Sequence, residues 1–561
     1  MRFCTEKFKS FLLAGTFSTF VGYLTRITDS VIVGHVIGED ALAGVNMVTP
    51  LVTVVMFVSY AVALGTATNY SIWMGRLDRR RACGFFTQGL LLALLLGGAM
   101  ALAMQFGEDR YFAILDGSEY VEMYGRQYLD WVWPIGGTHA VMTFLLLMCC
   151  ADGDIRLCSI ACGAVFGANV AVSFVAVEKG MGASGCALGD LVAEGVGILL
   201  LCSHFFRKVN TTALVLRFSP EDLYRTFRAS FGDAAILLCD AILFFGLNKL
   251  VIACFGSDVL PVAGVAIVLW SFLRIFDGVG VAVQPLVTVY WGERNVRGVR
   301  KVMQAAMIAA AVEGLLASVV LVAWPQLAIW VVGVEYPELV SAARTCVMLM
   351  CIGVLPAAIV ELFNSYFLYI ERPWISLEMT VLCHLALPLA GMIAGAQVGL
   401  NGVWIGLGVG LLSGVLLMAL AILIRRGRHG FPFLLPLRRA EKIRMFDLVL
   451  TEEEIVRISK EVAAALPAAV AARAALLVEE VFMTVRERNP RRKRLLGEVT
   501  LDFNDGIVMT LRDDGIVFDV TDSDAKVSSI RSYLVASVMR HQLGRLNFVT
   551  SGFNRNIFRL A

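Results

Sequence analysis

The chain has 561 residues, 58% of them hydrophobic and 17% charged, with a formal net charge of +2 and a mean hydropathy of +0.74. Soluble domains hold about 45–50% apolar and ~25% charged residues, so an ordinary soluble protein is excluded for most of the chain. The near-zero net charge excludes a global bias toward nucleic acid.

Taken in chain order, apolar runs between charged interruptions predict twelve membrane spans. They lie near 11–36, 42–70, 84–105, 122–150, 156–177, 184–206, 229–254, 260–290, 302–332, 343–369, 375–396 and 401–424, at ~20 apolar residues per crossing. Lys and Arg collect in alternate loops: Arg2, Lys7 and Lys9; Arg76 and Arg79 to Arg81; Arg207, Lys208, Arg217, Arg225 and Arg228; Arg294, Arg297, Arg300 and Lys301; Arg425, Arg426 and Arg428. The loops between are poor in them, as at Gly38-Glu39-Asp40. The positive-inside rule then puts both termini in the cytoplasm, which requires an even number of spans.

The two halves echo each other. Asp29-Ser-Val-Ile-Val-Gly34 is answered by Asn248-Lys-Leu-Val-Ile-Ala-Cys-Phe-Gly256, and the polar break Trp73-Met-Gly75-Arg76 by Tyr290-Trp-Gly292-Glu293. Matched halves in an apolar protein mark a transporter that rocks about a shared central site. Residues 1–220 are therefore expected to form an N-lobe of helices 1–6 and residues 221–425 a C-lobe of helices 7–12. Prolines 50, 134, 285, 356 and 388 fall inside spans and are expected to kink them.

Charged residues within spans are functional candidates by default, because the bilayer penalises them unless they pair or titrate. They are Arg26, Asp29, Asp190, Glu194, Asp233, Asp240, Lys249, Arg274, Asp277, Glu313 and Glu361. Asp29 has two readings, a titrating group or a helix-local pair with Arg26, which is three residues away. Asp190 with Glu194, and Arg274 with Asp277, share helix faces by spacing, and the second pair reads as a local ion pair. The 13 cysteines show no CxxC or CxxH spacing. They read as small buried hydrophobes, with neither a disulfide nor a metal site expected.

Past a basic, proline-bearing linker at 426–446, residues 447–561 change to soluble α/β composition. Thr451-Glu-Glu-Glu454 is a capping box, and a second helix is expected near 467–487. Asp505-Gly506 joins two alternating runs, 498–503 and 507–511, as a hairpin. A helix near 528–541 and strands at 546–550 and 556–560 complete the domain.

The first 425 residues resemble the multidrug and toxic compound extrusion (MATE) family, most of all its DNA-damage-inducible branch. The likeness rests on Asp29 to Gly38, Gly153-Asp154-Ile-Arg156, Gly180-Met-Gly182-Ala-Ser-Gly185, Val283-Gln284-Pro285 to Gly292, and Gly399-Leu-Asn-Gly402-Val-Trp404. It implies two six-helix lobes around a central cavity, exporting organic solutes against an inward flow of protons or sodium ions. By the same resemblance Asp29 matches the helix-1 coupling acid. Asp240 and Glu361 match acids on helices 7 and 10, with Glu361 one turn displaced from the family position.

The tail resembles the ATPase fold shared by DNA gyrase B, heat-shock chaperones, histidine kinases and MutL proteins (GHKL), in its anti-sigma-factor serine-kinase branch. Asp513-Asp514-Gly515-Ile-Val-Phe518-Asp519 stands where that family binds adenine, and Glu480 lies on the helix that carries its catalytic Glu. Thr484 replaces the magnesium-binding Asn, and Ser529-Ile-Arg-Ser532 replaces the glycine-rich lid. The resemblance thus implies a degenerate domain with Glu480, Asp513 and Gly515 as candidate nucleotide contacts. No cofactor follows from it with certainty, and ATP with magnesium is doubtful.

Three functions follow. The first is a cation-coupled antiporter for organic, cationic solutes in a bacterial cytoplasmic membrane, not an enzyme, with a regulatory tail that contacts a soluble partner or basic loops such as Arg76 to Arg81. The alternatives are a flippase for lipids or lipid-linked precursors, expected to carry cationic cavity residues, and a membrane-anchored nucleotide sensor.

Overall fold

The computed structural model describes residues 2–516, 548–550 and 553–560, apart from 38, 77, 116–118, 208–209, 257–258, 333–336, 426–434, 436 and 493. The first half contains α1 (Arg2–Ile32), a π-helical turn Val33–Ile37, α2 (Glu39–Gly75), α3 (Arg79–Leu115), α4 (Glu119–Val132), α5 (Ile135–Ala151), α6 (Ile155–Glu178) and α7 (Ala183–Cys202). The second contains α8 (Pro220–Phe255), α9 (Leu260–Phe272), α10 (Asp277–Gly292), α11 (Val296–Ala323), α12 (Gln326–Val332), α13 (Pro337–Met350), α14 (Val354–Tyr369), α15 (Pro373–Thr380), α16 (Leu387–Ala396) and α17 (Leu400–Arg425).

Among the described residues, 10 helices are long and apolar enough to cross a membrane, or 11 when the bent pair α4–α5 is one span. That pair bends by 52° at Pro134, which heads α5 and lacks the N–H that would continue the ladder. α1 falls outside this set. Its apolar run is interrupted by charge at Arg26 and Asp29.

Several predicted spans are broken rather than continuous. The run 260–290 is α9, a 3-10 turn Leu273–Phe276, then α10. The run 375–396 is α15, a π-helical turn Val381–Ala386, then α16. Irregular backbone at membrane depth is tolerated only where protein or a cavity surrounds it. Here the two turns carry Arg274 and His384 into the C-lobe interior, where both are buried.

The lobes meet where α1 packs on α10 and where α2 packs on α8 and α10. Contact is closest at glycines. A Cβ on Gly15 would lie 2.7 Å from the Gly278 carbonyl oxygen, and one on Gly75 would lie 2.9 Å from the Gly292 Cα. Side chains there would force the helices apart.

In the tail, α18 (Leu437–Glu441) precedes β1 (Ile443–Val449), α19 (Glu452–Ala464), α20 (Ala468–Arg488), β2 (Leu496–Asp502), β3 (Val508–Asp513), β4 (Phe548–Thr550) and β5 (Phe553–Arg559). The sheet is antiparallel in the order β1-β2-β3-β5-β4. The expected hairpin is the β2–β3 turn, with Gly506 at φ 101. Thr451 accepts from the Glu454 N–H as a cap. The Glu454 carboxylate, however, accepts from the Val449 N–H at 2.7 Å, so the box closes onto β1 instead of the cap residue. The expected helix near 528–541 lies outside the described residues.

Alternation along β2 sends Val499 and Leu501 into a core with Ile455, Val478, Phe482 and Leu511. The other face carries Glu498 and Thr500, which alternation alone would leave in water. They are buried as well, because this face sits on the membrane helices.

Candidate functional site

A charged cluster lies inside the C-lobe. Arg274 donates to Glu361 at 3.1 Å and lies 3.2 Å from the Asp277 carboxylate, one turn on. The Glu361 carboxylate is 3.4 Å from the His384 Nε2. Among the described residues, neither ring nitrogen of His384 has an aligned hydrogen-bond partner. The His384 ring stands edge-on to Trp270 at 6.5 Å between centroids, and the Trp270 indole donates to Asp240 at 2.9 Å. Asp240, Arg274, Glu361 and His384 are all buried. One guanidinium thus pairs with two carboxylates, and a third, Asp240, joins the cluster through Trp270 and His384. Full ionisation would leave an excess of buried negative charge, which low dielectric makes costly unless a proton or another cation neutralises it.

Sequence spacing identified Arg274 with Asp277, and the resemblance pointed to Asp240 and Glu361. Only the broken helices bring the four together. His384 was missed, and so was His139 in the N-lobe. A signal existed, since the chain has only 6 histidines and both lie within long apolar runs.

In the N-lobe, His139 Nδ1 lies 2.8 Å from Glu194, and Thr138 donates to the same carboxylate. Asp190 accepts instead from Asn169 at 2.9 Å and Tyr128 at 3.2 Å. The two acids share a helix face but serve separate networks. Arg26 and Asp29 belong to the last turns of α1, and their side chains, like that of Asp233, lie outside the described residues. Glu313 accepts from Thr16 across the lobe boundary at 2.9 Å. Lys249 is exposed beside the Phe245 ring.

The tail closes over the lobe seam. Arg512 and Arg555 are register partners on β3 and β5, a like-charge juxtaposition that is unfavourable by itself. Glu293, just past α10, reaches between them, accepting from Arg555 at 2.6 Å and from Arg512. Arg555 also donates to the Met74 carbonyl at 2.7 Å, so one guanidinium holds the end of α2 and the end of α10 together. Glu498 accepts from Arg512 at 2.6 Å and from Tyr290 at 3.2 Å. Although burial works the other way, Glu293, Tyr290 and Glu498 raise Arg512 above the usual arginine range. Further contacts are Lys301 to Asp447 at 3.5 Å, Arg297 to the Ile443 carbonyl at 2.7 Å, and Phe3 edge-on to Phe553 at 5.7 Å.

Among the described residues, Arg76 and Arg81 are engaged within the membrane part. Arg76 binds Glu371 and Arg81 binds Asp222 at 2.6 Å, both of them cross-lobe pairs. The tail uses Glu293, Arg297 and Lys301 instead.

Among the candidate nucleotide contacts, Asp513 accepts from Asn554 at 2.7 Å and from the Gly515 N–H at 2.9 Å through one carboxylate oxygen. Its other oxygen is buried without a partner among the described residues. Burial raises its pKa to about 6. The Thr484 hydroxyl donates back to the Glu480 carbonyl at 2.7 Å, and a Cβ on Gly515 would meet Val485 at 2.8 Å. Residues 517–519 and 529–532 lie outside the described residues. None of the 13 cysteines is joined in a disulfide.

A polytopic helical protein with two interlocked lobes, broken helices and charge at membrane depth is a multi-pass membrane transporter. The MatE family model matches residues 16–175 and 236–391, more than half of the chain, and the chain belongs to that family. Similar solved structures include an outward-facing multidrug resistance MATE family transporter of the MOP superfamily, with a TM-score of 0.71 and 19% identity. A MATE in complex with MaL6 gives 0.70 and 18%. A MOP superfamily transporter from Pyrococcus furiosus Vc1, described as having a binding pocket of reversed polarity that suggests a different function, gives 0.70 and 19%. Each alignment covers 76% of this chain and 96% of the other, and at these identities they show a shared fold. No curated protein matches the chain.

Proposed function

We propose that the protein is a cation-coupled antiporter that exports organic, cationic solutes by alternating access, with protons or sodium ions as the driving species. It would sit in a bacterial cytoplasmic membrane with twelve spans, α1 being the twelfth, and with both termini on the arginine-rich, cytosolic side. The observation that carries this is the cluster in which Arg274 pairs with Asp277 and Glu361 and is joined through His384 and Trp270 to Asp240, so that acids outnumber the guanidinium and an exchangeable cation would complete the balance. Asp240 and Glu361, with Asp29, are the proposed coupling groups. A flippase would need free cationic residues facing its cavity, whereas Arg274 is committed to two carboxylates. Efflux from proteoliposomes under separately imposed proton and sodium gradients tests the proposal. Gradient-driven export that Asp29→Asn or Glu361→Gln abolishes supports it, and unchanged export in both variants would sink the assignment.

The tail is a regulatory clamp in this reading. Its β3–β5 face bridges Met74 and Glu293, the ends of the two helices that must separate when the cytosolic side opens. Undocking the tail, through a soluble partner, would release the seam. Nucleotide turnover is not part of the proposal: Thr484 stands in place of the magnesium-binding Asn, and each lost charge-assisted phosphate contact costs roughly 1.5–3 kcal/mol. Calorimetric titration of the intact protein with ATP and magnesium is expected to give millimolar binding or none. Low-micromolar binding with turnover would favour the nucleotide-sensor reading.

A further inference from the structure

The described part of the segment joining the lobes, 210–219, is an extended strap with two unlike edges. Its inner edge is fixed to the N-lobe. The Thr211 N–H donates to Asp152 at 2.8 Å and the Val215 N–H to Thr87 at 2.9 Å, while Gln88 donates to the Ser219 carbonyl at 3.2 Å. The Arg217 side chain lies against Gly84, where a Cβ would meet it at 3.3 Å. The outer edge carries Leu214, Leu216 and Phe218, exposed by 73%, 95% and 71%, with Phe206 at 91%. Alternate residues of an extended chain point the same way, so the three form one apolar ridge. A ridge of this kind on a protein surface marks an interaction site.

Its depth identifies the occupant. Thr87 and Gln88 lie on α3 a single turn before Leu91, and Leu91, Leu94 and Leu95 are exposed in the lipid-facing belt. At about 1.5 Å rise per residue, the ridge is therefore held roughly 5 Å from that belt along the helix axis. It continues the apolar belt toward the arginine-rich face instead of standing out in water. Arg79 donates to the Thr211 carbonyl at 3.2 Å, Arg217 belongs to the strap itself, and Arg207, Arg225 and Arg228 flank it in sequence; basic residues at this level attract anionic headgroups.

We propose that the interlobe strap is an interfacial anchor: Leu214, Leu216 and Phe218 insert at the headgroup–acyl boundary of the leaflet on the arginine-rich side, with anionic phospholipid held against the flanking arginines. The anchor fixes the one covalent link between the lobes to the membrane surface, which gives their rocking a lipid-dependent pivot. This assignment stands independently of what the protein transports.

Photo-crosslinking of the intact protein in nanodiscs tests it. Benzoylphenylalanine replaces Phe218 in one sample and Leu95, a reference lipid-facing position, in another, and adducts are identified by mass spectrometry. Phospholipid adducts are expected at both positions. At 218 they are expected to be enriched in phosphatidylglycerol over phosphatidylcholine relative to position 95. Peptide adducts at 218 from the tail or a second copy, or lipid adducts at 95 with none at 218, would overturn the anchor. Equal headgroup ratios at the two positions would overturn the anionic-lipid part.

Discussion

Gly75 and Gly292, which occupy matching places in the two halves of the sequence, meet across the lobe seam so closely that a Cβ on the first would lie 2.9 Å from the Cα of the second. The internal echo is thus also a contact. The point where the repeats touch is the point over which Arg555 and Glu293 close the tail.

Gly75→Leu should insert and fold but fail to close this seam, because the nearest obstacles are backbone atoms of Val289 and Gly292. Export is expected to fall by about tenfold or more, equivalent to ~1.4 kcal/mol against the closed state. Cysteine labelling at the arginine-rich ends of α2 and α10 is expected to rise. Normal export with unchanged labelling would show that the contact is incidental.

Within the C-lobe cluster the two signs of charge should behave differently. Arg274→Ala leaves Asp277 and Glu361 without their counter-charge and is expected to cost about 3–5 kcal/mol of stability, read as a lower unfolding temperature in detergent. Glu361→Gln keeps the shape and removes an exchangeable charge. It is expected to leave the unfolding temperature near wild type while gradient-driven efflux is lost. The prediction fails if both variants lose stability equally.

Glu293→Ala should set Arg512 and Arg555 against each other with no anion between them. Burial already pulls Arg555 below the usual arginine range, with Glu293 opposing that shift. Breaking a buried pair costs about 3–5 kcal/mol, so the tail is expected to leave the seam. Limited proteolysis should then cut the chain between α17 and α18 faster, and export should rise if the tail is a clamp. A proteolysis pattern identical to wild type would mean that the apolar contacts alone hold the tail.

Asp513 gives the tail a pH dependence of definite sign. Burial lifts its folded pKa to about 6 from an ordinary 3.8, so the folded state prefers the protonated form. The stabilisation is full below pH ~4 and is lost as pH rises through about 6. At most about 3 kcal/mol is involved, at 1.36 kcal/mol per unit. Hydrogen exchange of β3 and β5 in the intact protein is expected to be slower at pH 5 than at pH 7.5, after correction for intrinsic rates. In Asp513→Asn that difference should shrink.

The membrane character of the chain, the apolar runs that became most of its long helices and the tail hairpin were legible in the residues, because each depends on local properties: apolar length and turn chemistry. Pro134 announced its bend for the same reason. Arg274 and Asp277 were readable as a pair because three residues make a helix turn.

Glu361 and His384 could not be attached to that pair from spacing, since Glu361 comes from α14 and the turns that aim Arg274 and His384 are set by how α9, α14 and α15 pack. The polar face of β2 shows the same division. Alternation dictated that Glu498 and Thr500 point away from the tail's own core. That this face is buried, and that Arg512 and Arg555 enclose an acid from another domain, depended on long-range docking. Charge carried on opposite sides of such an interface is neutral in composition and has no period along the chain, so only the assembled structure reveals the match.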